Sequence, residues 1–320
     1  MSGAAVAGVA LAVTLVTTPL AMVAARRLGI VDRPGTLKPQ SAPVPYLGGV
    51  AVFAGVVVGV AVGRPTVLVP LGMALALGVA DDGLDLPAPV RLAGQLAVGA
   101  AVVGTCPVHL PGGVGAVALI VVTVLVINGV NLIDGLDMLA SGVVAVAGVA
   151  FGIVLHDAGR QLSVALAAAL VGFLAYNRPP ARVYLGDGGS YLLGTTLTVL
   201  LADAWSPGVR VATGVAALAL VAVPVAEVAF AMVRRVRSGR SVLAGDRGHP
   251  YDRLVARGWT APSAVLAYVA VEAVMATGVV IAAHLHSTPA AVTVDVVAAV
   301  SLVLLALASG ALAPDLGVST

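Results

Sequence analysis

Residues 3–27 read GAAVAGVALAVTLVTTPLAMVAARR. From 3 to 25 the run carries no charge, and Arg26 and Arg27 close it. A helix needs roughly 20 apolar residues to cross a bilayer, and this stretch supplies them. A secretory leader would carry its basic residues ahead of the apolar run; here they follow it. The stretch reads as a retained transmembrane helix with its C-terminal end in the cytoplasm.

The same signal recurs along the chain. Ten further apolar stretches fall near residues 47–63, 66–80, 91–107, 114–128, 138–155, 161–176, 189–203, 209–232, 261–284 and 289–312. The expected fold is therefore all-α, a polytopic transmembrane bundle of about eleven spans. Composition agrees: 60% of the 320 residues are hydrophobic and 10% charged, against about 25% charged in soluble domains. Mean hydropathy is +1.07. The longest polar stretch, about 233–260, is too short to fold alone, so residues 1–320 read as one integral-membrane domain. A net charge of +2 gives no reason to expect nucleic-acid binding. Cys106 is the single cysteine and has no intrachain disulfide partner.

Basic residues orient the bundle. With the N-terminus outside and strict alternation, fourteen Lys and Arg lie in cytoplasmic segments and three (Arg64, Arg160 and Arg210) outside. The C-terminus is then cytoplasmic. The polar clusters gather on that same face, in segments 32–49, 81–95, 128–141, 177–194 and 245–259. Carboxylates beside a membrane are costly and mark function, and Asp81, Asp82, Asp85, Asp134, Asp137 and Asp187 all fall at cytoplasmic helix ends.

If the helix continues through Asp81, Asp82 and Asp85, i,i+3 and i,i+4 spacing puts these carboxylates on one face, suited to a hard cation such as Mg²⁺. Asn128, Asn131, Asp134 and Asp137 recur every third position and suggest a polar stripe along one half of a helix. Helix-to-helix bonding is the plainer reading of the two Asn. In Asn177–Ser190 the glycines let backbone N–H groups approach an anion. A span opening at Gly189 and Ser190 would aim its N-terminus at phosphate, with Asp187 beside it for a metal. The loop 32–49 holds four prolines and Lys38, the only lysine among seventeen basic residues. His249 is the only histidine on the cytoplasmic side under this orientation.

Together these segments resemble the polyprenyl-phosphate N-acetylhexosamine-1-phosphate transferases, glycosyltransferase family 4. The resemblance rests on the Lys38-to-Gly49 loop, DDGLDLPAPVRLAGQ from Asp81, NGVNLIDGLDMLA from Asn128 and NRPPARVYLGDGGSYLLG from Asn177. It is nearer to the branch using UDP-N-acetylglucosamine than to the muramoyl-pentapeptide branch, which is the alternative specificity. Gln40 stands where the family usually has His, Met138 replaces a common Gly, and His249 alone remains of a late cluster, with Tyr251 and Asp252 in the neighbouring slots.

The resemblance implies transfer of a sugar-1-phosphate from a UDP-N-acetyl sugar to an undecaprenyl or decaprenyl phosphate, at the cytoplasmic face of a bacterial plasma membrane. It implies Mg²⁺, with Mn²⁺ as a substitute, held by Asp187 and by Asn131 as a second ligand. Asp81 and Asp82 would position or deprotonate the lipid phosphate; an aspartyl-phosphate route through one of them is the rival. Asp137 would contact uracil and Tyr184 stack on it. Asn128, Asp134 and Asn177 would frame the nucleotide, with Asp85 beside the substrates, and Lys38, Arg91 and His249 would handle phosphates. Dimers occur in the family, so a homodimer is one implied assembly. A transporter or flippase is the competing class, with Glu227 and Glu272 inside apparent spans as its natural candidates.

Overall fold

A computed structural model describes residues 1–33, 42–106, 113–241 and 248–313. Every apolar stretch folds as helix. The order is α1 (Gly3–Leu28), α2 (Gly48–Gly63), α3 (Leu68–Leu84), α4 (Ala88–Thr105), α5 (Val114–Ile133), α6 (Leu139–Val154), α7 (Asp157–Asn177), α8 (Gly186–Ala204), α9 (Val211–Ala217), α10 (Ala222–Arg237), α11 (Pro250–Ala256), α12 (Ala261–Leu285) and α13 (Thr288–Ser309). A 3-10 turn over Leu218–Val221 joins α9 to α10, so the ninth apolar stretch is one broken rod.

Among the described residues, eight helical segments are long and apolar enough to cross a membrane. The stretches behind α2 and α6 form 16-residue helices, about 24 Å long at 1.5 Å per residue and shorter than the roughly 30 Å hydrocarbon core. Helix α8 is 19 residues long but carries an aspartate near each end, Asp187 and Asp203.

The all-α expectation also missed a two-residue antiparallel ladder. Strands β1 (Val31–Asp32) and β2 (Val44–Pro45) pair with Val31 opposite Pro45. They flank part of the proline-rich segment 32–49. Lys38 and Gln40 lie outside the described residues.

Helix α8 is the axis of the molecule. All its residues except Asp187 are buried, with α3 and α5 along its flanks and α2 near its start. Small residues make this closeness feasible, as in other membrane bundles. A Cβ on Gly78 of α3 would run into the Asp187 carbonyl, and one on Gly49 of α2 into the Gly189 backbone. Two helices thus converge on the first turn of α8. At its far end, Asp203 takes a two-pronged ion pair from Arg64, at 2.8 and 3.1 Å.

Candidate active site

The first turn of α8 is held from below by Asp82. Its Oδ1 accepts the Asp187 N–H at 2.9 Å and its Oδ2 the Gly188 N–H at 3.1 Å. These are the orphan donors of a helix start, and a carboxylate there also matches the helix dipole. This corrects two expectations. The helix begins at Gly186 rather than beyond Gly188, and its leading amides are occupied by the Asp82 carboxylate instead of facing a phosphate.

Asp81 turns the other way. Its Oδ1 accepts the Leu86 N–H at 3.0 Å; its Oδ2 accepts the Tyr191 hydroxyl at 2.8 Å and faces Arg91 Nη1 at 3.4 Å. Asp85 does not share a face with either. Helix α3 ends at Leu84, and Asp85 is its left-handed cap, φ 50°, exposed to solvent. The i,i+4 expectation failed because the helix stops one residue short of it.

The polar stripe is likewise cut by a helix end. Asn128 and Asn131 lie on α5, but Asp134 is the cap and Asp137 lies in the turn beyond. Asn128 joins α5 to α4, donating to Gln95 Oε1 at 2.7 Å, and also donates to Val124 O at 2.8 Å. Asn131 Nδ2 donates to Asp187 Oδ1 and, at 3.1 Å, to Ser190 Oγ. In this arrangement Asn131 orients the Asp187 carboxylate through Nδ2, and Oδ1 is the atom by which this amide would ligate a metal.

Asp134 is different from its neighbours. No hydrogen bond reaches its carboxylate among the described residues. Burial, then the charges of Asp187, Asp82 and Asp137, hold it well above the usual carboxylate range. Asp137 accepts the Ala181 N–H at 2.9 Å, and burial raises its carboxyl too. Asn177 ties this turn to the next loop: its Oδ1 accepts Met138 N–H at 2.9 Å and Ser141 Oγ–H at 3.2 Å, and its Nδ2 donates to Val183 O at 3.0 Å. Met138 sits at φ 70°, a left-handed conformation that glycine adopts freely, which explains why a glycine suits that position. Tyr184 packs at 6.1 Å from Tyr46 on the loop beside β2, and burial pushes its hydroxyl up to about 12.

His249 caps α11 and is nearly sealed from solvent. Its ring stacks on Tyr251, centroids 5.4 Å apart, and its Nδ1 lies 3.1 Å from Glu227 Oε2. Tyr251 in turn donates to the Leu132 carbonyl at 2.8 Å, bracing the Asp134 turn.

Four of the five polar segments therefore meet around one helix start. A profile described as glycosyl transferase family 4 matches residues 65–204, from just before α3 to the end of α8. The decaprenyl-phosphate N-acetylglucosaminephosphotransferase of Mycobacterium tuberculosis (strain ATCC 25618 / H37Rv) is 31% identical over 75% of this chain and 72% of its own length. The chain belongs to glycosyl transferase family 4.

Two further members bracket it. The decaprenyl-phosphate N-acetylglucosaminephosphotransferase of Mycolicibacterium smegmatis (strain ATCC 700084 / mc(2)155) is 31% identical over 79% of this chain and 75% of that one. The undecaprenyl-phosphate alpha-N-acetylglucosaminyl 1-phosphate transferase of Yersinia pestis is 28% identical over 82% and 80%. Within this family member, the sequence reading overlooked Tyr191, Gln95, Ser141 and Tyr268. Tyr191 was within reach, because it lies four residues after Asp187 on a helix and so on the same face. The partners of Gln95, Ser141 and Tyr268 come from other helices and leave no local trace.

Proposed function

We propose that the protein transfers N-acetylglucosamine-1-phosphate from UDP-N-acetylglucosamine to undecaprenyl or decaprenyl phosphate and releases UMP. The single observation that carries this is the gathering of Asp81, Asp82, Asp134 and Asp187 around the start of α8, with Asp134 lacking a hydrogen-bond partner among the described residues. Family membership and the names of the relatives support the same reading. The reaction sits at the cytoplasmic face of the bacterial plasma membrane, in an eleven-span bundle with its N-terminus outside.

The donor set fits Mg²⁺ held by one or two carboxylates, waters and substrate phosphates. It does not fit an all-protein cage: among the described residues no three His, Cys, Asp or Glu are grouped to ligate a metal. Asp187 is the principal ligand in this proposal, with Asn131 Oδ1 as the second and Asp134, which has no hydrogen-bond partner among the described residues, beside them. Mg²⁺, when bound, neutralises charge on the diphosphate.

The chain's own residues align two anionic reactants, which is most of what phosphoryl transfer asks of a protein. A lipid phosphate oxygen attacks the β-phosphorus; the bond from that phosphorus to the bridging oxygen breaks, and UMP leaves with the electron pair. A phosphate monoester has a second pKa of about 6 and is largely dianionic at neutral pH, so no strong base is required. Both oxygens of Asp81 and both of Asp82 already accept hydrogen bonds. That commitment favours direct attack over an aspartyl-phosphate intermediate. Asp137 and Tyr184 share the loop proposed to take the uracil, and Arg91, held by Asp81, faces the phosphates. Asp187→Ala should abolish transfer and leave the thermal transition in place. Substantial activity of that variant in detergent with excess Mg²⁺ would sink the metal assignment.

A further inference from the structure

Deep to His249 lies a cluster that the transfer reading leaves unused. Glu227 of α10 and Tyr268 of α12 are both buried within apolar helices. Tyr268 donates its hydroxyl to Glu227 Oε1 at 2.5 Å, while Glu227 Oε2 meets His249 Nδ1 at 3.1 Å. The carboxylate thus uses one oxygen on the α12 tyrosine and the other on the imidazole. An ionised carboxylate is acceptor-only, so in a Glu227 carboxylate–His249 pair Nδ1 is the N–H. That leaves Nε2 as the only ring nitrogen open to a ligand, and it has no partner among the described residues.

Two more contacts fix the same ring. Tyr251 stacks on it with planes 6° apart, and Tyr251 and Tyr268 meet edge to face with ring centroids 6.2 Å apart. Asp252, three residues into α11, accepts the His249 backbone N–H, as the third-position acid of a capping box does. Backbone, ring plane and tautomer are therefore each set by a different side chain. Tyr251 also carries the Leu132 carbonyl at 2.8 Å, with Gly135 directly under its hydroxyl. The ring is thereby fixed relative to the Asp134 turn.

We infer that Glu227 is a positioning residue of the transferase: it acts through His249, holding the imidazole so that Nε2 contacts a substrate phosphate. Tyr251 and Asp252, in the slots where the family repeats histidine, complete the hold on a single phosphate-contacting imidazole. The inference rests on the transfer reading above. It differs from a purely structural role because the benefit of Glu227 must vanish once His249 is gone, as a positioning residue's does.

The test is a double-mutant cycle in the full chain. Glu227→Gln keeps the side-chain shape and one acceptor, so it is the variant least apt to disturb folding; His249→Gln removes the imidazole. Turnover and the KM for UDP-N-acetylglucosamine are measured for both single variants and the double, with thermal melting alongside. Each single variant is expected to lose on the order of 10- to 100-fold in kcat/KM, as for loss of a charged hydrogen bond. The double variant is expected to match His249→Gln within about threefold, since residues that act as a unit are non-additive. Losses that multiply would overturn the inference. So would a Glu227→Gln variant with unchanged kinetics, or one whose lost activity merely follows a lowered melting temperature. A wild-type protein with no transferase activity would overturn the transfer reading itself and the inference with it, whereas an active wild type with multiplicative losses overturns the inference alone.

Discussion

Asp82→Asn separates a frame-holding role for Asp82 from direct contact with the lipid phosphate. Both Asp82 oxygens accept backbone N–H groups of α8, at 2.9 and 3.1 Å. An asparagine keeps one acceptor and turns an NH₂ toward the other donor. One hydrogen bond to a charged group, worth about 1.5–3 kcal/mol, is lost. The favourable charge at the helix start, worth about 0.3–1 kcal/mol and up to about 2 when partly buried, goes with it. Relief of repulsion from Asp187 and Asp134 offsets part of this, leaving a net loss on the order of 1–3 kcal/mol. The greater effect falls on Asp187, which leans on the same turn. A misplacement of about 1 Å costs on the order of 100-fold in rate. Kinetics in detergent with both substrates varied should therefore show kcat reduced about 100-fold. The KM for polyprenyl phosphate should move less than about threefold, because Asp82 has no free oxygen for it. A KM raised tenfold or more with kcat largely kept would refute this reasoning and place Asp82 on the lipid phosphate.

Gly78→Ala tests the closeness of α3 to α8, since its methyl would enter the Asp187 carbonyl. It should lower stability by about 1–3 kcal/mol, as overpacking does, and cut kcat at least tenfold, read by melting and turnover together. Asp252 has its carboxyl pushed from 3.8 up to about 6, chiefly by burial. A folded-state value above the unfolded one means the fold holds the proton more tightly, so stability from this group falls as pH rises from about 4 to about 6. Asp252→Asn keeps an acceptor for the His249 N–H without the charge. Its melting temperature relative to wild type should climb across that window, toward a gain of about 1–3 kcal/mol above pH 6; a flat difference would contradict the assigned burial.

The class of fold was legible because lipid imposes a simple rule on composition: long uncharged runs closed by arginine, as in α1, read as helices without reference to any partner. The one-sided gathering of aspartates was legible for the same reason, since a carboxylate at a membrane edge stands out. What stayed hidden depended on where helices stop and what lies across from them. Asp85 and Asp137 fell off their expected faces because α3 ends at Leu84 and α5 at Ile133. The direction of Asp82 was unreadable, because its partners lie 105 and 106 residues away on α8. Asn128 was open between ligand and helix contact until Gln95 was seen opposite it. Glu227 drew notice as a charge within a span, but its partner His249 lies 22 residues further along the chain.

The central claim is that the chain moves a sugar-1-phosphate onto a lipid phosphate. Purified protein should be incubated with Mg²⁺, undecaprenyl phosphate and UDP-N-acetylglucosamine, and UMP and lipid-linked product measured together. Both should form in equal amounts, be lost on adding EDTA and be restored by excess Mg²⁺. Absence of both products with this donor and with UDP-N-acetylmuramoyl-pentapeptide, from protein that melts cooperatively, would contradict it.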